Sequence, residues 1–291
     1  MNTPSTVLIS VTIPDSVKTI GKSAFLGCSA LESIELSSNL TSIEESAFSY
    51  CDKLANIRIP SKVTNIGDEA FYHCTKLTNV EISLTSNLTS IGYGAFWGCT
   101  NLTNINIPKG VTSIGTRAFA GCKNLTSIEI PEGVVSINDY TFSGCDSLEN
   151  IDIPFGVNKI GDSAFASCDN LVSVNIPSTV THIGKEAFNF CAKLKDIKLP
   201  TGVIDIGARA FFYCYRLKSI EVPTSITNIG EDAFYTQSLD TIFYNGTTED
   251  WEKINIATEI AGVTIYYYSE GEPISAGNYW HYDENDNPVI W

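Results

Sequence analysis

Leu125-Thr126-Ser127-Ile128-Glu129-Ile130-Pro131 decides the fold, because the chain repeats it. Written out from that leucine, the unit is L-x-x-I-x-I-P-x-x-V-x-x-I-G-x-x-A-F-x-x-C-x-x. It recurs almost without interruption from Leu8 to Leu239. Nine cysteines carry the register: Cys28, Cys51, Cys74, Cys99, Cys122, Cys145, Cys168, Cys191 and Cys214. Every interval is 23 residues, except 25 between Cys74 and Cys99. A phenylalanine stands three before each cysteine and a leucine three after it. Phe234 makes a tenth phenylalanine, with Gln237 where the next cysteine would fall. A fixed period of this length is the signature of an array of stacked units.

The unit reads as one turn of a solenoid. The last two apolar residues of L-x-x-I-x-I alternate with period two, as in a short strand with one buried face. Stacked copies pair such strands in parallel along a right-handed path. Proline cannot donate to a ladder and ends the strand. V-x-x-I makes a second short extended segment. The glycine after it (Gly67, Gly115, Gly161) is expected at a turn needing unusual φ and ψ. Asp162-Ser163-Ala164-Phe165-Ala166-Ser167-Cys168 is expected to form a single helical turn, capped by Asp162 or Ser163, with Ala164, Phe165 and Cys168 inward. The architecture is therefore a leucine-rich-repeat solenoid. Its first strands line the concave face, and the second strand and helical turn lie on the convex side. At a strand spacing of about 4.8 Å, ten turns span about 45–50 Å.

These landmarks resemble the BspA-like class of leucine-rich repeats, over about four-fifths of the chain. The resemblance implies a curved solenoid in a bacterial or protozoan surface protein used in adhesion or recognition. It implies an extracellular or cell-surface location.

Two irregularities stand out. Ser83-Leu84-Thr85-Ser86-Asn87-Leu88 holds the extra pair and is expected to bulge outward between the two strands. In the last copy Leu239 arrives one residue early. Residues 1–242 read as the solenoid, of about ten turns, and 243–291 as a C-terminal capping region. A cap is needed because an open solenoid exposes core and strand edge. Thr248-Glu249-Asp250-Trp251-Glu252-Lys253-Ile254 reads as a short capped helix, Val263–Tyr268 as a strand, and Tyr279–Tyr282 with Val289–Trp291 as a hairpin. At the other end Leu8, Val11, Ile13 and Pro14 already belong to a repeat. The chain is accordingly expected to be a fragment of something longer.

The formal charge is −15, from 18 basic and 33 acidic residues. Residues 243–291 hold nine acids and one base, a net of −8. Such a surface repels nucleic acid and anionic membranes. No apolar run approaches the roughly 18–20 residues of a membrane span. No basic n-region or apolar h-region opens the chain, so no signal peptide is read in it.

Candidate chemistry is sparse. Nine cysteines without a C-x-x-C pair read as a buried thiol column acting as small hydrophobes. His73, His182 and His281 fall at different repeat positions and form no catalytic spacing. No metal site, cofactor or enzyme activity is expected. Asp283, Asn285 and Asn287 begin like a calcium loop, but Pro288 replaces its glycine and no closing Glu follows; a hairpin turn is the reading. Surface remains. Between the strand isoleucines run Glu35, Arg58, Glu81, Asn106, Glu129, Asp152, Asn175, Lys198 and Glu221, beside a column of small polar residues. A second set of varying residues is aromatic: Tyr50, Tyr72, Trp97, Phe190, Phe212, Tyr213 and Tyr235. The first column, with Trp97 and Tyr213, forms the candidate site of a non-enzymatic binding or adhesion module for a protein or glycan. The alternative is a structural spacer or accessory module of a larger surface protein.

Overall fold

The computed structural model describes residues 7–274 and 276–291. The repeat folds as a parallel-strand solenoid with three hydrogen-bonded faces. On the inner face, strand Asn56–Ile59 pairs in parallel with Asn79–Ile82, with Arg58 opposite Glu81 and Ile59 opposite Ile82. Exposed and buried residues alternate along both, as period-two patterning demands. On the second face, two-residue strands from Thr19–Ile20 to Asn255–Ile256 stack in one ladder of five and one of six.

The third face differs from the helical turn expected from the sequence. It is a chain of tight turns, and the only helix among the described residues is Thr248–Trp251. In coil 44–51 alternate amides close local turns: Ala47 N–H donates to Glu44 O, Ser49 to Ser46 O and Cys51 to Phe48 O. The amides between them donate to the next coil, Ser46 to Asp68 O, Phe48 to Ala70 O and Tyr50 to Tyr72 O, at 2.7–2.8 Å. Ser46 and Tyr50 hold φ of 54° and 59° to achieve this. A helical turn would direct every amide back along its own coil and leave this ladder unmade.

The repeat glycine also has a different reason from the one expected. Gly67, Gly115 and Gly161 do not sit at positive φ. A Cβ on any of them would lie within 2.5–2.7 Å of a backbone carbon in the preceding coil. Glycine is there for close approach between coils.

Ten phenylalanine rings, Phe25 to Phe234, stack down the interior at 5.2–5.7 Å and within 13° of parallel. The nine cysteines are free and buried. From Cys51 onward each thiol donates to the carbonyl of the phenylalanine 26 or 28 residues before it, at 3.1–3.3 Å. Burial pushes the thiols of Cys51 and Cys214 up to about 12. The column packs as small hydrophobes whose weak donors are satisfied.

In the tail, Thr247 caps the short helix by accepting from the Asp250 amide, and Trp251 and Ile254 are buried. Strands Thr241–Tyr244, Thr264–Tyr268 and Tyr279–Tyr282 prolong the inner sheet, and Pro288–Ile290 closes it antiparallel. Buried Trp280 donates its ring N–H to Tyr244 O at 2.9 Å. The Asp283 carboxylate accepts the Asn285 and Asn287 amides at 2.8 Å, so it closes the hairpin turn.

Candidate binding surfaces

The inner segments present the polar column as one file, with Arg58 opposite Glu81 and Asp152 opposite Asn175 where the strands pair. Glu35, Arg58, Glu81, Asn106, Glu129, Asp152, Asn175 and Lys198 are all exposed. Arg58 and Glu81 approach to 3.6 Å as a solvated pair worth at most about 1 kcal/mol. Glu129 and Asp152 have no ion-pair partner among the described residues.

Asn106, Glu129, Asp152 and Asn175 surround a single trough of about 910 Å³, floored by Ile105, Ile128 and Ile151. Glu35, Arg58 and Glu81 line a separate hollow of about 560 Å³. The large trough lies where the inner ladder is open. The inner face is made of several short ladders; one ends at Asn104–Ile105 and the next begins at Asn150–Asp152, so residues 127–130 pair with neither side. The second ladder breaks at the same step, between Ser113–Ile114 and Ser136–Ile137. The third face stays closed, with Phe119 N–H on Thr141 O at 2.9 Å.

Asn138 accounts for the break in the second ladder. It stands where most copies have glycine, and its side-chain amide donates to Ile114 O at 2.6 Å. That carbonyl is the one a backbone amide takes elsewhere, as Gly115 takes Ile91 O at 2.8 Å. Glu44 also replaces the glycine, but its carboxylate turns to the Lys22 amide and its own backbone N–H still reaches Ile20 O at 3.0 Å. Side-chain competition for the carbonyl replaces that backbone bond at this step.

Glu221 departs from the rest of its column. Its side chain is only 11% exposed. It accepts from the Tyr282 hydroxyl and from Asn245 Nδ2 at 2.8 Å, and Lys198 Nζ stands 3.6 Å away. It fastens the tail to the solenoid and is not presented to solvent. Burial, then the Glu221 contact, raises the Tyr282 phenol above its ordinary range.

The aromatic residues lie on the third face, away from the inner trough. Trp97 meets Tyr72 edge-on at 5.1 Å, and Arg117 lies 5.5 Å from the Trp97 ring and 4.4 Å from that of Tyr140. Tyr213 contacts Phe190 at 5.1 Å and Phe212 at 4.1 Å, and Tyr215 stacks on it at 5.5 Å. Packing between coils and partial exposure coexist in both clusters. Tyr93, Arg117, Tyr140 and Tyr215 escaped the sequence reading, because they occupy other repeat columns. Stacking brings those columns beside the first.

Residues 4–126, 79–192 and 113–241 match the BspA type leucine rich repeat region, in six copies in all. The chain belongs to this family. A leucine-rich cell-surface protein of Faecalibacterium prausnitzii is similar to this BspA-type chain at 28% identity and TM-score 0.52, over 87% of this chain and 83% of that one. The T. pallidum leucine-rich-repeat protein TpLRR is 30% identical with TM-score 0.52, over 56% and 78%. The pneumococcal vaccine antigen PcpA shares the fold at 24% identity and TM-score 0.59, over 90% and 74%. No curated protein matches the chain. No helix among the described residues is long and apolar enough to cross a membrane. No group of three metal-ligating side chains occurs among them either.

Proposed function

We propose that this BspA-type chain is a non-enzymatic recognition module of a bacterial cell-surface protein, holding a protein or glycan ligand in its inner trough. One observation carries the reading: four exposed polar side chains of the column surround a trough of about 910 Å³. The location at the surface is supported by likeness to the F. prausnitzii cell-surface protein. The acids Glu129 and Asp152 are free to receive cationic or hydroxyl groups, while the apolar floor supports an aliphatic or sugar face.

Arrays of proteins and glycans test this. Saturable binding is expected, weakened at least tenfold by Glu129→Lys and by added salt, and little changed by Trp97→Ala. The opposite mutant pattern moves the ligand to the aromatic edge. Absence of saturable binding to any probe leaves a spacer and sinks the proposal.

A further inference from the structure

The third-face ladder has a last rung. In each coil up to the ninth, three alternate amides donate to three carbonyls of the next coil; Arg209 donates to Glu231 O, Phe211 to Ala233 O and Tyr213 to Tyr235 O. The corresponding amides of the tenth coil are Asp232, Phe234 and Thr236. Among the described residues none of them has an acceptor. The chain beyond continues the other two faces, through Thr241–Tyr244 and Asn255–Ile256, but the third face is not continued. A cavity of about 390 Å³ lies there instead. It is lined by Ile229, Ala233, Phe234, Ile260 and Val263, with Tyr235 on its rim, 54% exposed. Its size falls in the range of small-ligand pockets, roughly 300–1,000 Å³. Phe234 has Phe211 at 5.7 Å on one side and no ring on the other among the described residues.

The molecule itself shows what fits such a rung. Nine times over, a coil of this kind receives a backbone with carbonyls at alternate residues and a phenylalanine ring set on its own. We propose that the end of the tenth coil is a peptide-binding site, which takes an aromatic residue and its flanking carbonyls from an Ala-Phe-like segment of a partner. Three amides along a line suit successive carbonyls better than one anion, and exposed Glu259 beside the cavity disfavours negative charge. A second copy of the chain cannot seat its whole first coil, because the two continued strand faces already occupy that position.

The probe is a capped peptide copying residues 21–27, Gly-Lys-Ser-Ala-Phe-Leu-Gly, added to the full chain. The Asp232, Phe234 and Thr236 amides are expected to exchange rapidly in the free protein and to become at least tenfold slower with peptide. Alanine in place of the peptide's phenylalanine is expected to weaken binding tenfold or more, and Ala261→Trp, which fills the cavity, to abolish it. Unchanged exchange at these amides at millimolar peptide, or equal binding of the alanine peptide, overturns the proposal. So does self-association of the chain that Ala261→Trp abolishes without any peptide binding. Glu129→Lys leaves this site intact, so its failure and that of the inner trough are separable.

Discussion

Ser167 holds φ at 58°, a conformation in which Gly27, Gly98, Gly121 and Gly144 occupy the same place in other coils. Its side chain is exposed, so it gains little from packing. The left-handed region costs an L-residue about 1–2 kcal/mol, of which glycine's greater unfolded-state freedom returns part. Ser167→Gly is therefore expected to raise stability by about 0.5–1 kcal/mol, read as a higher urea midpoint at unchanged slope. A lower midpoint contradicts the strain argument. At this scale the sequence was informative about identity but not about cause. A period shows that Gly67 and Gly115 recur; it does not say whether dihedral angle or contact requires them. The answer lies in the neighbouring coil, 23 or 25 residues away.

At the coil containing Asn138 both strand ladders are interrupted, and it borders the trough of about 910 Å³. Asn138→Gly is expected to return Ile114 O to the backbone and close both strand ladders at that step. Amide exchange at Ser127–Ile130 is then expected to slow by about tenfold, equivalent to about 1.4 kcal/mol of local stability. Binding at the trough is expected to fall with it. Unchanged exchange at these residues would separate the opening from Asn138. Short strands, the Phe–Cys register and the polar column were all legible, because period and alternation encode which side chains point inward. The helical turn was misread because its inward spacing also fits a chain of tight turns, which differ only in where the amides go. The trough was not legible. Asn138 in place of the repeat glycine is visible in the sequence, but which of two donors takes Ile114 O, and which inner segments go unpaired, is not.

At the scale of the whole molecule the thiol column couples stability to pH. Burial raises the folded-state pKa of each thiol, to about 12 for Cys51 and Cys214. Above the ordinary thiol value of about 8.5 an unfolded cysteine loses its proton while the buried one keeps it. The folded state then holds more protons, so stability is fully present at neutral pH and is lost as pH rises toward 12. Each thiol steepens that loss by up to about 1.4 kcal/mol per pH unit. Urea unfolding from pH 8 to 10.5 is expected to show stability falling steeply, and Cys122→Ala to flatten the slope by about one proton. A slope unchanged by that substitution would show that other groups control alkaline unfolding. Because coils contact mainly their neighbours, the loss is expected to spread along the array as a sum of local terms.

The direction of the third-face ladder gives that face an electric polarity along the solenoid axis. Its inter-coil amides all point toward the C-terminal end and their acceptor carbonyls toward the N-terminal end. These columns add head to tail, while on the second face amides such as those of Thr64 and Gly67 donate the opposite way, to Thr41 O and Ile43 O. On this third face the sense is opposite to that of an α-helix, with the amide hydrogens directed toward the C-terminal end of the array. Residues 243–291, with their net charge of −8, follow directly from that end. The acidic tail thus adjoins the end of the array toward which the third face turns its amides, and the opposed second face runs its amides away from it.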